Sequence, residues 1–305
     1  MINIFNNEPS EYSYKAISIL ETIGNYYDTH TEKPIHAIIT RLHERVDSKF
    51  LDRFPKLQFI LTATTGLDHI DQVECQNRQI QIISLKGEFE FLASIAATAE
   101  HTMTLMLSLL RNIPAAVEHV KIGGWDRMEH KGHELKNKNL CILGMGRLGT
   151  QIAQIATAFQ MNIKCFDNKN IKEYPCSTDL MKALHGSDIL SIHLPYDSST
   201  SGLIGEKQIL EMNPASYIIN TSRGQILNEH DVVSCLISGQ LAGVAVDVLD
   251  QEYNIQSSPL WNYIQNTNPK NVLITPHIGG CTYESMEATE SFIAEKFVNI
   301  LKEQQ

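Results

Sequence analysis

The chain has 305 residues, of which 43% are hydrophobic and 20% charged, and a formal net charge of −10. That length supports two cores rather than one, and the acidic balance argues against nucleic acid or an anionic membrane as partner. The N-terminal "MINIFNNEPSEYSYK" has no basic segment leading into an apolar core, and the longest apolar stretch, "MTLMLSLL", is too short to span a bilayer, so a cytoplasmic protein without signal peptide or membrane span is expected.

Short apolar, β-branched runs alternate with helical patterns along the chain. Strands are expected at "INIF" (2–5), "HAIIT" (36–40), "LQFIL" (57–61) and "QIISL" (81–85), with a helix over 11–23 that places Tyr14, Ile17, Leu20 and Ile23 at helical spacing. From about residue 98, "TAEHTMTLMLSLLRNI" reads as a helix apolar nearly all round, hence buried on several sides. The polar, glycine-containing "VKIGGWDRMEHKGHELKNKN" reads as a loop. Six further strands follow: "NLCILG" (139–144), "NIKCF" (162–166), "ILSIHL" (189–194), "SYIINT" (216–221), "GVAVDV" (243–248) and "NVLIT" (271–275). A last helix over 283–301 carries Met286, Ile293, Phe297 and Ile300 on one face. Alternation of this kind indicates parallel sheets covered by helices, and six strands after one long helix fit a complete doubly wound dinucleotide domain. Cys75, Cys141, Cys165, Cys176, Cys235 and Cys281 show no CxxC spacing. They read as buried free thiols of a reducing compartment rather than as disulfides, and no metal site is expected.

The strongest local signal is "NLCILGMGRLGTQIAQIATAFQMNIKCFDNK". Gly144, Gly146 and Gly149 form G-x-G-x-x-G between a strand and a helix. Gly144 suits the tight turn, Gly146 the approach of backbone to a pyrophosphate, and Gly149 the close packing of helix on sheet. The helix N-terminus offers free N–H groups to the anion, and Arg147 adds charge there. Asp167, at the end of the next strand, is placed to accept the ribose hydroxyls; a carboxylate there repels a 2′-phosphate and favours NAD over NADP.

In open α/β sheets ligands bind beyond the carboxyl ends of the strands. Reading those ends in order finds His193 and Pro195, then Ser222, Arg223 and Gly224, then Asp247 and Glu252, then His277. Singly, each is a common surface or turn residue. Together they suit the interconversion of an alcohol and a ketone: histidine as base and acid, a carboxylate hydrogen-bonded to it, and an arginine to hold a substrate carboxylate and polarise the adjacent carbonyl.

These residues and the pieces around them resemble the D-isomer-specific 2-hydroxyacid dehydrogenases. The matching segments are "TTGLDHID" (64–71), "ATAEHTMTLMLSLLR" (97–111), "GMGRLG", "SIHLPYDSSTSGLIG" (191–205), "INTSRGQILNE" (219–229), "GVAVDVLDQE" (243–252) and "TPHIGG" (275–280), nearly the whole chain in order. The resemblance implies an α/β protein of two Rossmann-like, doubly wound parallel-sheet domains with a cleft between them. Residues 1–97 plus 280–305 would form a flavodoxin-like substrate domain and 98–279 the NAD-binding domain, with the two crossovers as hinges. It implies that Arg223 binds the substrate carboxylate and carbonyl oxygen, that Glu252 pairs with His277, and that His277 transfers the proton. Backbone amides around Thr64, Thr65 and Gly66 would hold the carboxylate. Gly144, Gly146, Arg147, Leu148, Gly149, Asp167, His193, Pro195, Thr200 and Thr221 would line the cofactor path, with Asp247 near the nicotinamide carboxamide. A homodimer through the cofactor domain is implied, the 98–120 region contributing.

Two features depart from the family pattern. Tyr253 stands after the catalytic glutamate where proline is usual, and a chain of 305 residues is expected to lack the C-terminal regulatory domain of some phosphoglycerate dehydrogenases. Arg41, with Arg45 close behind, matches a basic position of phosphoglycerate dehydrogenases, whereas Thr62 stands where those enzymes often have arginine. D-3-phosphoglycerate is the leading expectation; the alternatives are glyoxylate or hydroxypyruvate, D-lactate-type and 2-hydroxyglutarate substrates. A reading of another class is an NAD-sensing corepressor-like scaffold, which would show ligand-dependent dimerisation. Formate dehydrogenases share the fold but carry glutamine at the position of Glu252.

Overall fold

The structure is a computed structural model that describes all residues except Asn170, Asn268, Gln304 and Gln305. It divides into two compact units, Met1–Ile95 with Gly280–Gln305, and Ala96–Gly279.

The first unit is built on a parallel five-stranded sheet of β1 (Ile2–Asn6), β2 (Gly24–Tyr27), β3 (Ala37–Ile39), β4 (Phe59–Leu61) and β5 (Gln81–Ile83). The order β2-β1-β3-β4-β5 is that of the flavodoxin-like doubly wound fold. The central strands "AII" and "FIL" are buried throughout, as strands covered on both faces must be. Helix Tyr14–Glu21 starts at Ser13, whose hydroxyl accepts the Ala16 amide at 3.3 Å. Against it packs helix Tyr283–Glu303, which inserts Ile293, Ala294 and Phe297 into the core of Ile4, Leu20 and Leu61. Strand β2, "GNYY", was not expected. It is an edge strand with two half-buried tyrosines, and it needs Gly24 because a Cβ there would lie 2.2 Å from the Ile2 carbonyl oxygen.

The second unit carries a parallel seven-stranded sheet of β6 (Asn139–Leu143), β7 (Asn162–Phe166), β8 (Cys176–Ser177), β9 (Ile189–Ile192), β10 (Ser216–Asn220), β11 (Leu241–Val246) and β12 (Val272–Ile274). The order β12-β11-β10-β9-β6-β7-β8 reverses direction between β6 and β9, the switch point of a Rossmann sheet. Successive β6 residues alternate between two cores: Leu140 and Ile142 on one face, Cys141 and Leu143 on the other. Helix Ala97–Leu110 covers the first of these faces with Met103, Met106, Leu109 and Leu110, which explains its all-round apolar sequence.

Two expectations are corrected in this unit. The segment 120–139 is not a plain loop: its first two residues end helix Ile113–Lys121, and it holds a 3-10 turn, Arg127–His130. The six cysteines are not all free thiols. Strand β8 sets Cys176 in register with Cys165 on β7, and the two form a disulfide with a Cα–Cα distance of 4.4 Å. A two-residue strand carries no periodic signal, so its register, and hence the pairing, was invisible in the sequence. Cys75, Cys141 and Cys235 are free and buried, and Cys281 is free and exposed.

Candidate active site

Strand register brings most of the expected site residues to one edge of the second unit. Phe166, Leu143, Ile192, Asn220, Val246 and Ile274 are direct partners in sequence across β7, β6, β9, β10, β11 and β12. Gly144, Asp167, His193, Thr221, Asp247 and Thr275 each follow this row by one residue, and Arg223 and His277 follow it by three. Neighbouring strands lie about 4.8 Å apart, so the ends of β10 and β12 are separated by roughly 10 Å. Every strand runs the same way, so a single row of backbone fixes where all these side chains start.

The glycine loop has the shape an anion site requires. Gly144 has φ +91°, and a Cβ there would press on the His193 carbonyl oxygen at 2.8 Å. Gly149 passes so close to the turn that a Cβ would lie 2.0 Å from the Gly144 oxygen. At Gly146, by contrast, a Cβ would meet nothing within 4 Å, and helix Arg147–Ala158 begins there without a side-chain cap. Open space at Gly146 and a helix start with no side-chain cap among the described residues let another group approach the backbone there, which fits a pyrophosphate. Asp167 accepts the Met145 amide at 2.8 Å on one oxygen and the Lys169 amide at 2.8 Å on the other, which ties the glycine loop to the end of β7. Each carboxylate oxygen keeps a second lone pair for a ribose hydroxyl. Arg147 is half-buried, which holds its guanidinium below the usual arginine value, and it donates to Gln151 at 3.4 Å; Leu148 packs partly against the core.

His277 sits at φ +54°, a left-handed conformation uncommon outside glycine, asparagine and aspartate. Its amide donates to the carbonyls of Asp247, at 2.9 Å, and Thr275, at 3.0 Å. Its Nδ1 lies 2.8 Å from Glu252 Oε2, with both side chains about a quarter to a third exposed. The turn is clamped from beneath by Asp247. Its Oδ1 accepts the Thr275 hydroxyl at 2.6 Å and the Ile278 amide at 2.9 Å, and its Oδ2 accepts the Gly279 amide at 2.7 Å. His101, from the long buried helix, adds contacts to Asp247 at 3.2 Å and to Thr275 at 3.0 Å.

Burial pushes the Asp247 carboxyl up, but the contacts from His101, Thr275, Ile278 and Gly279 outweigh it and leave the net value below the ordinary 3.8. A carboxylate depressed by folding contributes stability that is present above its unfolded pKa and lost as pH falls through the folded one. The side-chain carboxyl resonance of Asp247 is therefore expected to titrate below the ordinary 3.8, and a midpoint above that value would contradict the clamp.

Glu252 opens a 3-10 turn, Glu252–Ser257, and is bracketed by contacts of a second carboxylate. Buried Glu229 accepts the Asp250 amide at 3.1 Å and the Leu260 amide at 3.3 Å, together with the Ser258 hydroxyl. Tyr253, in place of the usual proline, is 55% exposed, and the pairing of its neighbour with His277 is intact. His101, Thr275 and Glu229 were not singled out from sequence. His101 and Glu229 lie inside the family-like segments, but nothing in their local pattern says that they reach 146 and 21 residues along the chain.

The remaining residues of the second unit differ in what they do. Arg223 is half-buried on extended backbone and donates Nη1 to the Ser222 carbonyl at 2.8 Å. Part of the His193 side chain meets solvent, but its Nδ1 is buried without a hydrogen-bond partner among the described residues and Nε2 meets the Ser191 hydroxyl at 2.8 Å; burial lowers its pKa to about 4, which keeps the ring neutral. Pro195 is exposed, and its carbonyl accepts the Thr200 hydroxyl at 2.8 Å. Thr200 also accepts the Asp197 amide at 2.9 Å, so its side chain closes the 195–200 turn rather than facing outward. Thr221 is buried against Thr102, hydroxyl to hydroxyl at 2.8 Å, pinning the long helix to the end of β10.

In the first unit, Thr64 folds its hydroxyl onto the Gly66 carbonyl at 2.8 Å and contacts the buried Thr62 hydroxyl at 3.0 Å. The amides of Thr64, Thr65 and Gly66 have no partner among the described residues, which leaves three donors on one turn. Arg41 is engaged within the first unit. Its guanidinium pairs with Glu290, whose side chain is 1% exposed, donates to the Ser10 carbonyl at 3.0 Å and lies over the Tyr12 ring. Burial raises the Glu290 pKa while the Ser13 amide and Arg41 pull it back. Arg41 is thus the counter-ion of a buried carboxylate, with its side chain still partly exposed.

The doubly wound sheet, the glycine loop at its switch point and the acid closing the next strand define a dinucleotide-binding domain. Comparison with known proteins agrees. Residues 103–279 match the family model described as "D-isomer specific 2-hydroxyacid dehydrogenase, NAD binding domain". The chain is 32% identical over 271 residues to a D-3-phosphoglycerate dehydrogenase of Archaeoglobus fulgidus, covering 87% of this chain and 49% of that protein, so it spans about half the length of that relative. It is 31% identical over 276 residues to a glyoxylate reductase of Thermofilum pendens, covering 87% and 78% respectively. Among solved structures, a D-lactate dehydrogenase from Aquifex aeolicus complexed with NAD and lactic acid superposes with a TM-score of 0.82 at 25% identity, over 98% of this chain and 95% of that one. The chain belongs to the D-isomer specific 2-hydroxyacid dehydrogenase family.

Proposed function

We propose that this chain is an NAD-dependent dehydrogenase that interconverts a D-2-hydroxy acid and its 2-oxo acid, with His277 and Glu252 as the acid–base pair and Arg223 as the group that binds the substrate carboxylate. The observation that carries this reading is the 2.8 Å contact of His277 with Glu252, on the same strand-end row as the glycine loop. The 144–149 loop and Asp167 would hold NAD, which when bound would supply the hydride acceptor. With Nδ1 given to Glu252, Nε2 is the ring nitrogen of His277 that takes the hydroxyl proton in oxidation and returns it in reduction. Arg223 orients the acid and draws charge onto the carbonyl oxygen. Asp247 and His101 hold the turn on which His277 stands.

On the substrate, the Arg41–Glu290 pair weakens the case for a phosphorylated acid, because the cation that suggested it is already neutralised. We favour a short unphosphorylated 2-oxo acid such as glyoxylate, hydroxypyruvate or pyruvate, with 3-phosphoglycerate as the alternative. Initial rates with NADH across these acids and phosphohydroxypyruvate decide between them: higher kcat/KM on the phosphorylated acid would reverse the preference, and no turnover on any would remove the dehydrogenase reading.

Cofactor choice is tested at Asp167. Replacing it with asparagine removes a charge facing the ribose while keeping an acceptor for the Met145 amide. KM for NAD is expected to rise by about tenfold, the loss of one hydrogen bond to a charged group, and NADP to become relatively better. Unchanged selectivity would exclude this role.

A homodimer through the second unit is part of the proposal. Helix Ile113–Lys121 and the turn after it expose Ile122 at 84% and Trp125 at 90%, together with Val117 and Val120, an apolar surface that a second copy would cover. Among the described residues no helix is long and apolar enough to cross a membrane.

A further inference from the structure

We propose that His119, Glu129 and His130 form a binding site for a divalent transition-metal cation of the zinc class, separate from the catalytic residues, which ties together the two short elements of the 113–130 segment. His119 lies in the last turn of helix Ile113–Lys121, and Glu129 and His130 end the 3-10 turn Arg127–His130. Between them the chain reverses at Gly123, with φ +86°, and at Gly124, where a Cβ would stand 2.3 Å from His119 Nε2. Only glycine lets the backbone cross the imidazole so closely, and the crossing lays the second element over the end of the first.

The result is a convergent donor set. The two imidazole rings lie 4.9 Å apart between centroids, and one ligand atom from each of the three residues lies within 4.8 Å of the others. His119 Nδ1 is 4.0 Å from Glu129 Oε2, beyond hydrogen-bond range. Both ring nitrogens of His130 are buried and have no partner among the described residues. Unsatisfied buried donors and acceptors are uncommon, and beside another imidazole and a carboxylate a shared cation would give one of the two ring nitrogens its partner.

Two imidazoles and one carboxylate suit zinc and its neighbours, whereas magnesium and calcium prefer all-oxygen shells. With metal–ligand bonds of about 2.0–2.2 Å, tetrahedral ligands stand roughly 3.4 Å apart, so the pair at 4.0 Å must close by about half an ångström. Glu129 is 54% exposed and can rotate to do so. One position remains for water. His119 also predicts a signature of loading. Its Nε2 accepts the Asp126 amide at 3.2 Å, so that nitrogen carries no proton. A cation at Nδ1 requires the proton on Nε2, so metal binding releases the Asp126 amide.

The test is calorimetric titration of untagged, chelator-stripped full-length protein with zinc chloride. One equivalent per chain is expected to bind with micromolar or tighter affinity, with a shift of the Asp126 amide resonance. The His119→Ala/His130→Ala variant should lose this binding, and Glu129→Gln should weaken it by about tenfold or more, both with unchanged dehydrogenase activity. Because Glu129 is exposed, its variant folds and decides the matter if the double variant does not. Wild-type protein that takes up zinc only at millimolar concentration, or either variant titrating like wild type, would overturn the site.

Discussion

Replacing His277 is expected to lower turnover by about 10²–10⁴ while leaving NAD affinity close to wild type. The residue stands at φ +54°, so the substitution must be chosen with the backbone in mind. Asparagine tolerates the left-handed region better than alanine and cannot carry a proton between substrate and solvent. His277→Asn therefore keeps the turn that Asp247 clamps and removes only the chemistry. Glu252→Gln acts through the histidine: an amide can present either face to Nδ1, so the tautomer is no longer set, and a loss of about 10–100-fold in kcat is expected. Since the two residues act as a unit, the double variant should be little worse than His277→Asn alone. Steady-state kinetics in both directions, with NAD binding followed by fluorescence, reads all of these. Near-normal turnover in His277→Asn would end its assignment as acid and base.

Arg223→Lys should reduce kcat/KM for the oxo acid by about 10²–10³, the scale set by removing one donor from a developing oxyanion. A lysine keeps the charge but loses the planar fork that grips a carboxylate at two points. The position is built to hold one geometry. Arg223 lies on extended backbone and opens the turn Gly224–Ile226. Gly224 packs so tightly on the following loop that a Cβ would lie 2.0 Å from the Leu249 carbonyl carbon. A shorter or differently shaped side chain therefore gets no help from backbone movement. The comparison is kcat and KM for a 2-oxo acid in wild type and variant, with NADH dissociation as control; equal kcat/KM would exclude the arginine from substrate binding.

Much of the second unit was readable before any coordinates. The β6 run "NLCIL" alternates between two cores, so both faces are apolar and the strand reads as continuous. The glycine loop could be placed because Gly144 and Gly149 each answer a local steric need, which spacing alone records. The strand-end residues were found by assuming one parallel direction, and the register row carries Gly144, Asp167, His193, Asp247 and His277 to the same edge. What failed were features whose partners are remote. Strand β2 has too few apolar residues to announce itself, and β8 is two residues long. The pairing of Arg41 with Glu290 was invisible because the two are 249 residues apart.

By itself the sequence determined the alternation of strands and helices, the glycine turn and the chemical types at the strand ends, because these rest on periodicities and sterics that act within a few residues. Only the tertiary structure decided which side chains are already engaged. It set Glu252 on His277, Asp247 and His101 beneath the turn, Glu229 behind the Glu252 loop, Cys176 against Cys165, and Glu290 on Arg41. Hydrogen bonds and ion pairs form within about 3–4 Å between atoms whose separation along the chain is arbitrary. No local pattern encodes them until the sheet register has been laid down.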